Sequence, residues 1–307
     1  MKKLQSLARS LFPTAILKSQ SICLAPIGGC LLKAEDMAES DGSWFTSNAQ
    51  QQYFINRYYD RAREAIRDLP ELESIASTDV EVVNKFLADR GFQIELAPLD
   101  GPHDFAVASV FKLLLEWSRP GTKTTVCDGK YPAVRIGRRS LSFQSSPATK
   151  NPIVSISTKN GDIVHMTVVK NPGDPKAKGF DLLDLVERIE SSSKAIGGLD
   201  GVIFPMIEYN EMIDIGWAVD LETEGPSGPW IVAQALQQTK FRMNEIGAKV
   251  ESAVAMSMRF GSCAAPVSKP DLIIDEPFLL WVTREGLFHP LFVGYFVETN
   301  WKKPQQL

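Results

Sequence analysis

Residues 241 to 278, FRMNEIGAKVESAVAMSMRFGSCAAPVSKPDLIIDEPF, decide how the rest of the chain is read. The stretch opens as a strand, passes Gly247 and then alternates with the period of two that a half-buried strand shows. Ala248, Val250, Ser252, Val254, Met256 and Met258 share one face, which is apolar or small. Lys249, Glu251, Ala253, Ala255, Ser257 and Arg259 share the other, which carries the charges. After Arg259 the pattern dissolves into Gly261, Ser262, Pro266 and Pro270, an exposed loop by composition. An apolar strand follows from Leu272. A strand-competent segment therefore ends in a loop between two further strands.

Upstream of this stretch the helical signals come early. Residues 2 to 17 place Leu4, Leu7, Ala8 and Leu11 on one helical stripe, which Pro13 should bend or end. Leu31 to Ala38 reads as a short helix after Gly28 and Gly29. Gln50 to Leu69 is the clearest helix, with Tyr53, Phe54, Tyr58, Ala62, Ala65 and Ile66 inward and Pro70 as its stop. Thr78 and Glu81 form a capping box for a helix carrying Val82, Val83, Phe86 and Leu87.

From Phe92 the period changes to two. Phe92, Ile94 and Leu96 predict a short strand, and Phe105 to Leu115 a continuous apolar one that needs cover on both faces. Ile153 to Ser157 and Ile163 to Val169 flank Lys159-Asn-Gly-Asp162, the strongest hairpin signal in the chain. Asp181 to Glu190 predicts a helix with Leu182, Leu185, Val186 and Ile189 inward. Beyond Gly198 the chain is strand-rich, apart from a predicted loop at residues 222 to 228. Early helices, long strands between them and a strand-rich C-terminal third give an α+β fold with more than one sheet.

Composition sets outer bounds. With 33 basic and 37 acidic residues and 44% hydrophobic residues, the 307-residue chain is that of an ordinary globular protein. Its mild acidity argues against a nucleic-acid partner, and Arg135, Arg138 and Arg139, the one dense basic cluster, read as a solvated turn. No apolar run is long enough for a membrane span. The N-terminus starts like a secretory signal, but Pro13, Lys18 and Gln20 interrupt it. This favours a cytoplasmic location, with secretion left open. Cys23, Cys30, Cys127 and Cys263 have no metal-type spacing and read as free thiols.

Catalytic chemistry is not indicated. His103, His165 and His289 lie far apart, no spacing suggests a metal, and no nucleophile elbow, phosphate-binding loop or dinucleotide fingerprint occurs. The chain is therefore read as something other than an enzyme, with no cofactor implied.

Asn244, Glu245 and Gly247, followed by small residues, an irregular loop and Leu272 to Val282, resemble the C-terminal signature of serpins. Five other places agree in order with that family. Ser21 to Gly28 is similar to its first buried strand and second helix, and Phe105 to Trp117 to the third strand of its large sheet, with Trp117 where the family has a Trp. Gly161 to Val169 and Gly201 to Ile213 are similar to two further strands, and Pro290 to Val297 to the last. The resemblance implies one serpin-like unit over residues 1 to 307, with a reactive-centre-like loop at about 247 to 271. It also places Pro277, Phe278 and Leu279 at the start of a buried strand of the small sheet.

What the resemblance implies functionally is a suicide inhibitor. A protease cuts the exposed loop, whose N-terminal part then inserts as a new strand of the large sheet. Glu245, Gly247, Ala248 and Val250 would be the hinge, Gly247 being suited to the turn there, and Trp117 would lie where the sheet opens. Counting from Glu245 as in the family puts the scissile bond near Gly261-Ser262, with Phe260 and Arg259 as alternative recognition residues. The partner would be a target protease. The chain departs from the inhibitory pattern at Ile246, Lys249, Val250, Glu251, Ser252 and Glu276, and beneath the sheet at Ala25, Gly28 and Gln237. A bulkier hinge should insert slowly, and so a non-inhibitory binding or structural subunit on the same scaffold is the alternative. Nothing in the sequence supports a glycosaminoglycan cofactor.

Overall fold

The computed structural model describes residues 18–101, 103–173, 179–248 and 269–304. The predicted helix at residues 2 to 17 and most of the alternating stretch, from 249 to 268, lie outside the described residues.

β1 (Gln20–Ile22) leads into α1 (Ala25–Ala38), with Pro26 in the first turn, where its missing N–H removes no helical bond. The helix starts earlier than Leu31, and Gly28 and Gly29 lie inside it. Close packing explains both. A Cβ on Gly28 would come within 2.7 Å of Ile66 Cδ1, and one on Gly29 within 2.7 Å of Ser109 Oγ.

After β2 (Trp44–Phe45), the long predicted helix forms as α2 (Ala49–Tyr53), a π-helical turn (Phe54–Tyr59) and α3 (Asp60–Arg67). Asn48 caps it, its side-chain oxygen accepting from Gln51 N at 2.9 Å. The wider turn brings Ile55 and Tyr59 into the core beside Phe54 and Tyr58, which a strict 3.6-residue period does not predict.

β3 (Leu72–Ser77) precedes α4 (Val80–Asp89). The cap is Asp79, one residue later than the predicted box; its Oδ1 accepts from Glu81 N at 3.0 Å. Val83 and Leu87 are buried, whereas Val82 is exposed. The predicted strand at Phe92 to Leu96 is instead an extended segment lying on a sheet face. Its side chains pack with Val83, Leu87 and Val110, and Leu96 N donates to Asn84 Oδ1 rather than to a strand.

The predicted strand from Phe105 to Leu115 divides into β4 (Ala106–Phe111) and β5 (Leu115–Glu116), because the segment changes partners between them. β6 (Thr122–Val126), β7 (Tyr131–Gly137), β8 (Leu141–Ser146), β9 (Thr149–Ser157) and β10 (Ile163–Val168) follow, and β9 and β10 pair as the predicted hairpin. α5 (Phe180–Ser191) buries all four of its predicted core residues.

β11 (Lys194–Ala195) comes next, and β12 (Gly201–Pro205) and β13 (Ile207–Ile213) part at Met206 into different sheets. The predicted loop at 222 to 228 is a hairpin, β14 (Glu222–Gly225) and β15 (Gly228–Ile231), turned by Gly228 at a φ of 117°. The chain continues through β16 (Gln237–Met243), β17 (Gly247–Ala248), β18 (Asp271–Ile273), β19 (Phe278–Thr283) and β20 (Phe292–Phe296).

The architecture is α+β with several sheets. A seven-stranded sheet runs in the order β1-β20-β19-β10-β9-β8-β11. The resemblance places β19 in a small sheet, but it lies inside this one and is buried on both faces. Phe278, Leu280 and Val282 face one core, Leu279 and Trp281 the other. The apolar run without alternation is the sequence expression of that position.

Two other sheets, β13-β16-β17-β5 and β3-β4, are joined by residues 112–114 and together make one divided sheet. β17 runs antiparallel to both β5 and β16, so β5 and β16 are parallel to each other with β17 between them. Where β17 ends at Ala248, no described strand continues it between β4 and β16.

Candidate functional site

The divided sheet is closed at one end by Trp117. This fully buried side chain sits beside β5, edge-on to Phe204 at 5.9 Å, and its backbone N donates to Ile246 O at 3.0 Å. Trp117 Nε1 donates to Asn244 O at 2.9 Å. Gly121 N donates to Glu245 O at 2.7 Å, and Lys123 Nζ pairs with Glu245 Oε1 at 2.9 Å. The segment from Asn244 to Ala248 is thus fixed residue by residue. From the other side the β9–β10 turn holds β5: Lys159 pairs with Glu116, and Asn160 Nδ2 donates to Leu114 O at 3.2 Å.

Gly247 is required here by approach rather than by turning. It is not among the described glycines of positive φ, but an added Cβ would stand 2.1 Å from Leu115 O and 2.9 Å from Glu116 Cα. Ala248 is buried and pairs with Leu115 on one side and Met243 on the other.

Beyond Ala248 lies a cavity of about 510 Å³. Its walls are β4 and β16, and its floor is α1 through Pro26, Ile27, Cys30 and Leu31. Phe92, Ile94 and Leu96 cover its front. These last residues belong to a strap that crosses from α4 to the β16 side. Gln93 N donates to Gln238 Oε1 at 2.7 Å, Ala97 N to Gln234 Oε1 at 2.9 Å, and Lys240 Nζ to Gly91 O.

Burial shapes the chemistry of this slot. It pushes the Cys30 thiol up to about 11 against two opposing hydrogen bonds from Ser109, and Cys23 up to about 12, so both are protonated and poor nucleophiles at neutral pH. Burial also lowers Lys240, helped by the nearby Arg242. Among the described residues no cluster of three or more His, Cys, Asp or Glu side chains is placed to hold a metal ion, and no helix is long and apolar enough to cross a membrane. Among the described residues, the arrangement leaves β17 without a continuation between β4 and β16.

Solved structures share this arrangement of elements. The chain is similar to thyroxine-binding globulin in complex with thyroxine at a TM-score of 0.55 and 12% identity, over 93% of this chain and 94% of that one. The serpin from Schistosoma mansoni matches at 0.54 and 9%, over 93% and 97%, and human thyroxine-binding globulin complexed with the hormone at 0.52 and 10%, over 93% of each. The chain has the serpin fold. No protein-family model and no curated protein matches the sequence, so the likeness is one of fold.

Within this serpin fold, four of the residues singled out from sequence, Trp117, Glu245, Gly247 and Ala248, come together at the closed end of the divided sheet. Val250, Arg259, Phe260, Gly261 and Ser262 lie outside the described residues. Sequence reasoning missed the strap and its anchors Gln234 and Gln238. The available signal was the run Gln237-Gln238-Thr239, buried polar residues in a strand, which need partners.

Proposed function

We propose that the protein is a serpin-type protease inhibitor acting as a suicide substrate. The observation that supports this reading is the slot between β4 and β16, headed by Gly247, which pairs with β5, and by Ala248, which pairs with both β5 and β16. A protease hydroxyl or thiol attacks a loop carbonyl near Arg259, Phe260 or Gly261-Ser262. The peptide bond breaks, the C-terminal side leaves as a protonated amine, and the N-terminal side stays as an acyl-enzyme. Insertion of that side into the slot before water cleaves the acyl bond traps the protease. In this reading residues 1 to 307 form one unit, and the segment from about 247 to 271 is its reactive loop.

A panel of serine and cysteine proteases tests the proposal. The expected result is a covalent complex that survives denaturant, and a large rise in melting temperature after cleavage between residues 255 and 265. An unchanged melting temperature would rule out insertion.

A second reading, a non-inhibitory binding or structural subunit, is favoured by the strap, whose three ties to Gln234, Gln238 and Lys240 close the front of the slot. It predicts a stable protein partner and no trapped protease.

A further inference from the structure

The cavity between β4 and β16 has an apolar interior and a cationic mouth. At about 510 Å³ it falls in the size range of small-molecule sites. Ile27 and Leu31 of α1 and Phe241 of β16 line it from below, and Phe92, Ile94 and Leu96 of the strap line it from the front. Three polar groups of the lining are already engaged within the protein. Gln237 Nε2 donates to Cys23 O at 2.9 Å, Gln238 Nε2 donates to Asn210 Oδ1 at 2.7 Å, and Ser109 Oγ shares a 2.6 Å bond with Ser74 Oγ. An occupant of the interior therefore meets mainly methyl groups and rings.

The mouth differs. Lys112 and Lys240, both exposed, line the cavity from opposite walls. Each stands three residues before the wall residue that pairs with Ala248, Leu115 on one side and Met243 on the other, so the two lie at the same level across the slot. Arg90 and Arg242 also line it, but Arg90 is paired with Glu73 and Arg242 with Glu208. Among the described residues, neither Lys112 nor Lys240 has a carboxylate within ion-pair distance; Glu73 acts on Lys112 only at longer range. Lys240 instead donates to Gly91 O and lies 5.2 Å from the centre of the Phe92 ring. Burial there lowers its pKa, helped by Arg242, and an anion beside it would offset that cost.

The charge count selects the head group. Glu95 is the one acidic residue among the described residues of the lining. Set against Glu73, Glu95 and Glu208, the four cations leave one positive charge, a local excess in a chain whose net charge is -4. One carboxylate would neutralise it.

We propose that this cavity is a binding site for a long-chain fatty acid, with the alkyl chain along the interior and the carboxylate between Lys112 and Lys240. Most of the affinity would come from burying the chain, because both lysines remain in contact with water. A dianionic head group would carry more charge than the mouth balances, and an alcohol would leave both ammonium groups without a counter-charge. The proposal stands apart from the insertion reading, since it concerns the intact, uncut chain.

Calorimetric titration of the intact protein with laurate, decanoate, dodecanol and dodecyl phosphate, each below its aggregation limit, tests the site. Wild type should bind laurate saturably. Decanoate, two methylenes shorter, should bind about fifteenfold more weakly, since each buried methylene contributes about fourfold. Dodecanol should bind roughly tenfold more weakly than laurate, and the double variant Lys112→Gln, Lys240→Gln should lose about the same factor for laurate but nothing for dodecanol. Both lysines are exposed, so the unliganded variant should melt like wild type. Absence of saturable laurate binding, or equal laurate affinity in wild type and the double variant, would overturn the proposal. Tighter binding of dodecyl phosphate than of laurate would overturn the assignment of a carboxylate.

Discussion

Trp117 Nε1 donates a 2.9 Å hydrogen bond to Asn244 O, so the residue beside β5 holds the segment that leads into Gly247. The Trp117 side chain is fully buried, and a partly buried carbonyl that loses its donor retains part of its desolvation cost. Trp117→Phe keeps most of the ring against Phe204 but removes the donor. It is expected to lower stability by about 1–2 kcal/mol, measured by urea unfolding followed by circular dichroism. Trp117→Ala also leaves a cavity and should cost about 3–5 kcal/mol. Unchanged stability in Trp117→Phe would show that the hydrogen bond contributes nothing.

Gly247→Ala tests the close approach to β5. The added methyl would meet Leu115 O at 2.1 Å, so β17 must move away from β5 or the backbone must distort. A loss of about 1–3 kcal/mol is expected, as for other overpacked sites. Faster amide exchange should appear at Trp117 and Gly121, whose N–H groups bond to Ile246 and Glu245. Gly197→Ala, where a Cβ meets nothing within 4 Å, is the control. Unchanged exchange in Gly247→Ala would mean that β5 yields without strain.

The sequence was most legible where one segment has one environment. The β9–β10 hairpin and the inward face of α5 follow from local pattern, because turn chemistry and periodicity respond to a single neighbour shell. The closed end of the sheet was partly legible. Trp117, Glu245, Gly247 and Ala248 follow from the resemblance, but it gives Gly247 a turn, whereas in the fold Gly247 is required by its close approach to Leu115 O. Three features depend on partners distant in sequence and were missed. Gly28 and Gly29 read as lying before a helix that starts at Leu31, yet Ile66 and Ser109 demand them inside α1. Phe105 to Leu115 read as one strand, because periodicity does not record an exchange of β3 for β17 as partner. The strap at 91 to 97 read as a strand, since its alternation comes from packing on α4 and its backbone bonds go to side chains.

Arg284 ties the seven-stranded sheet to the divided one. Its guanidinium bonds to both oxygens of Asp162, at 2.7 and 2.9 Å, and to both of Glu71, at 2.6 and 3.0 Å. Asp162 is only 1% exposed, and the hydrogen bonds from Arg284 hold the Glu71 carboxyl below its ordinary range. Arg284→Met strands a buried charge and should cost about 3–5 kcal/mol. Arg284→Lys should recover little, because an ammonium cannot fork to two carboxylates. Full recovery by Lys, in equilibrium denaturation, would show that charge alone suffices.

His165 gives the protein an acid-sensitive core. Its ring stacks on Trp281 at 4.9 Å, with Nδ1 2.8 Å from Ser155 Oγ and Nε2 2.9 Å from Thr283 Oγ1. Burial lowers its pKa from 6.5 to about 4. A depressed histidine is neutral in the folded state, while the unfolded chain takes up a proton as pH falls below 6.5. Its stabilising contribution is therefore complete above pH 6.5 and declines towards pH 4, by roughly 3 kcal/mol across the window. His289 is lowered too, chiefly by burial, and adds a slope of the same sign. His165→Gln should flatten, without abolishing, the loss of stability between pH 7 and 4.5, read from urea midpoints at each pH. A variant whose midpoint falls as steeply as wild type would place the acid sensitivity elsewhere in the fold.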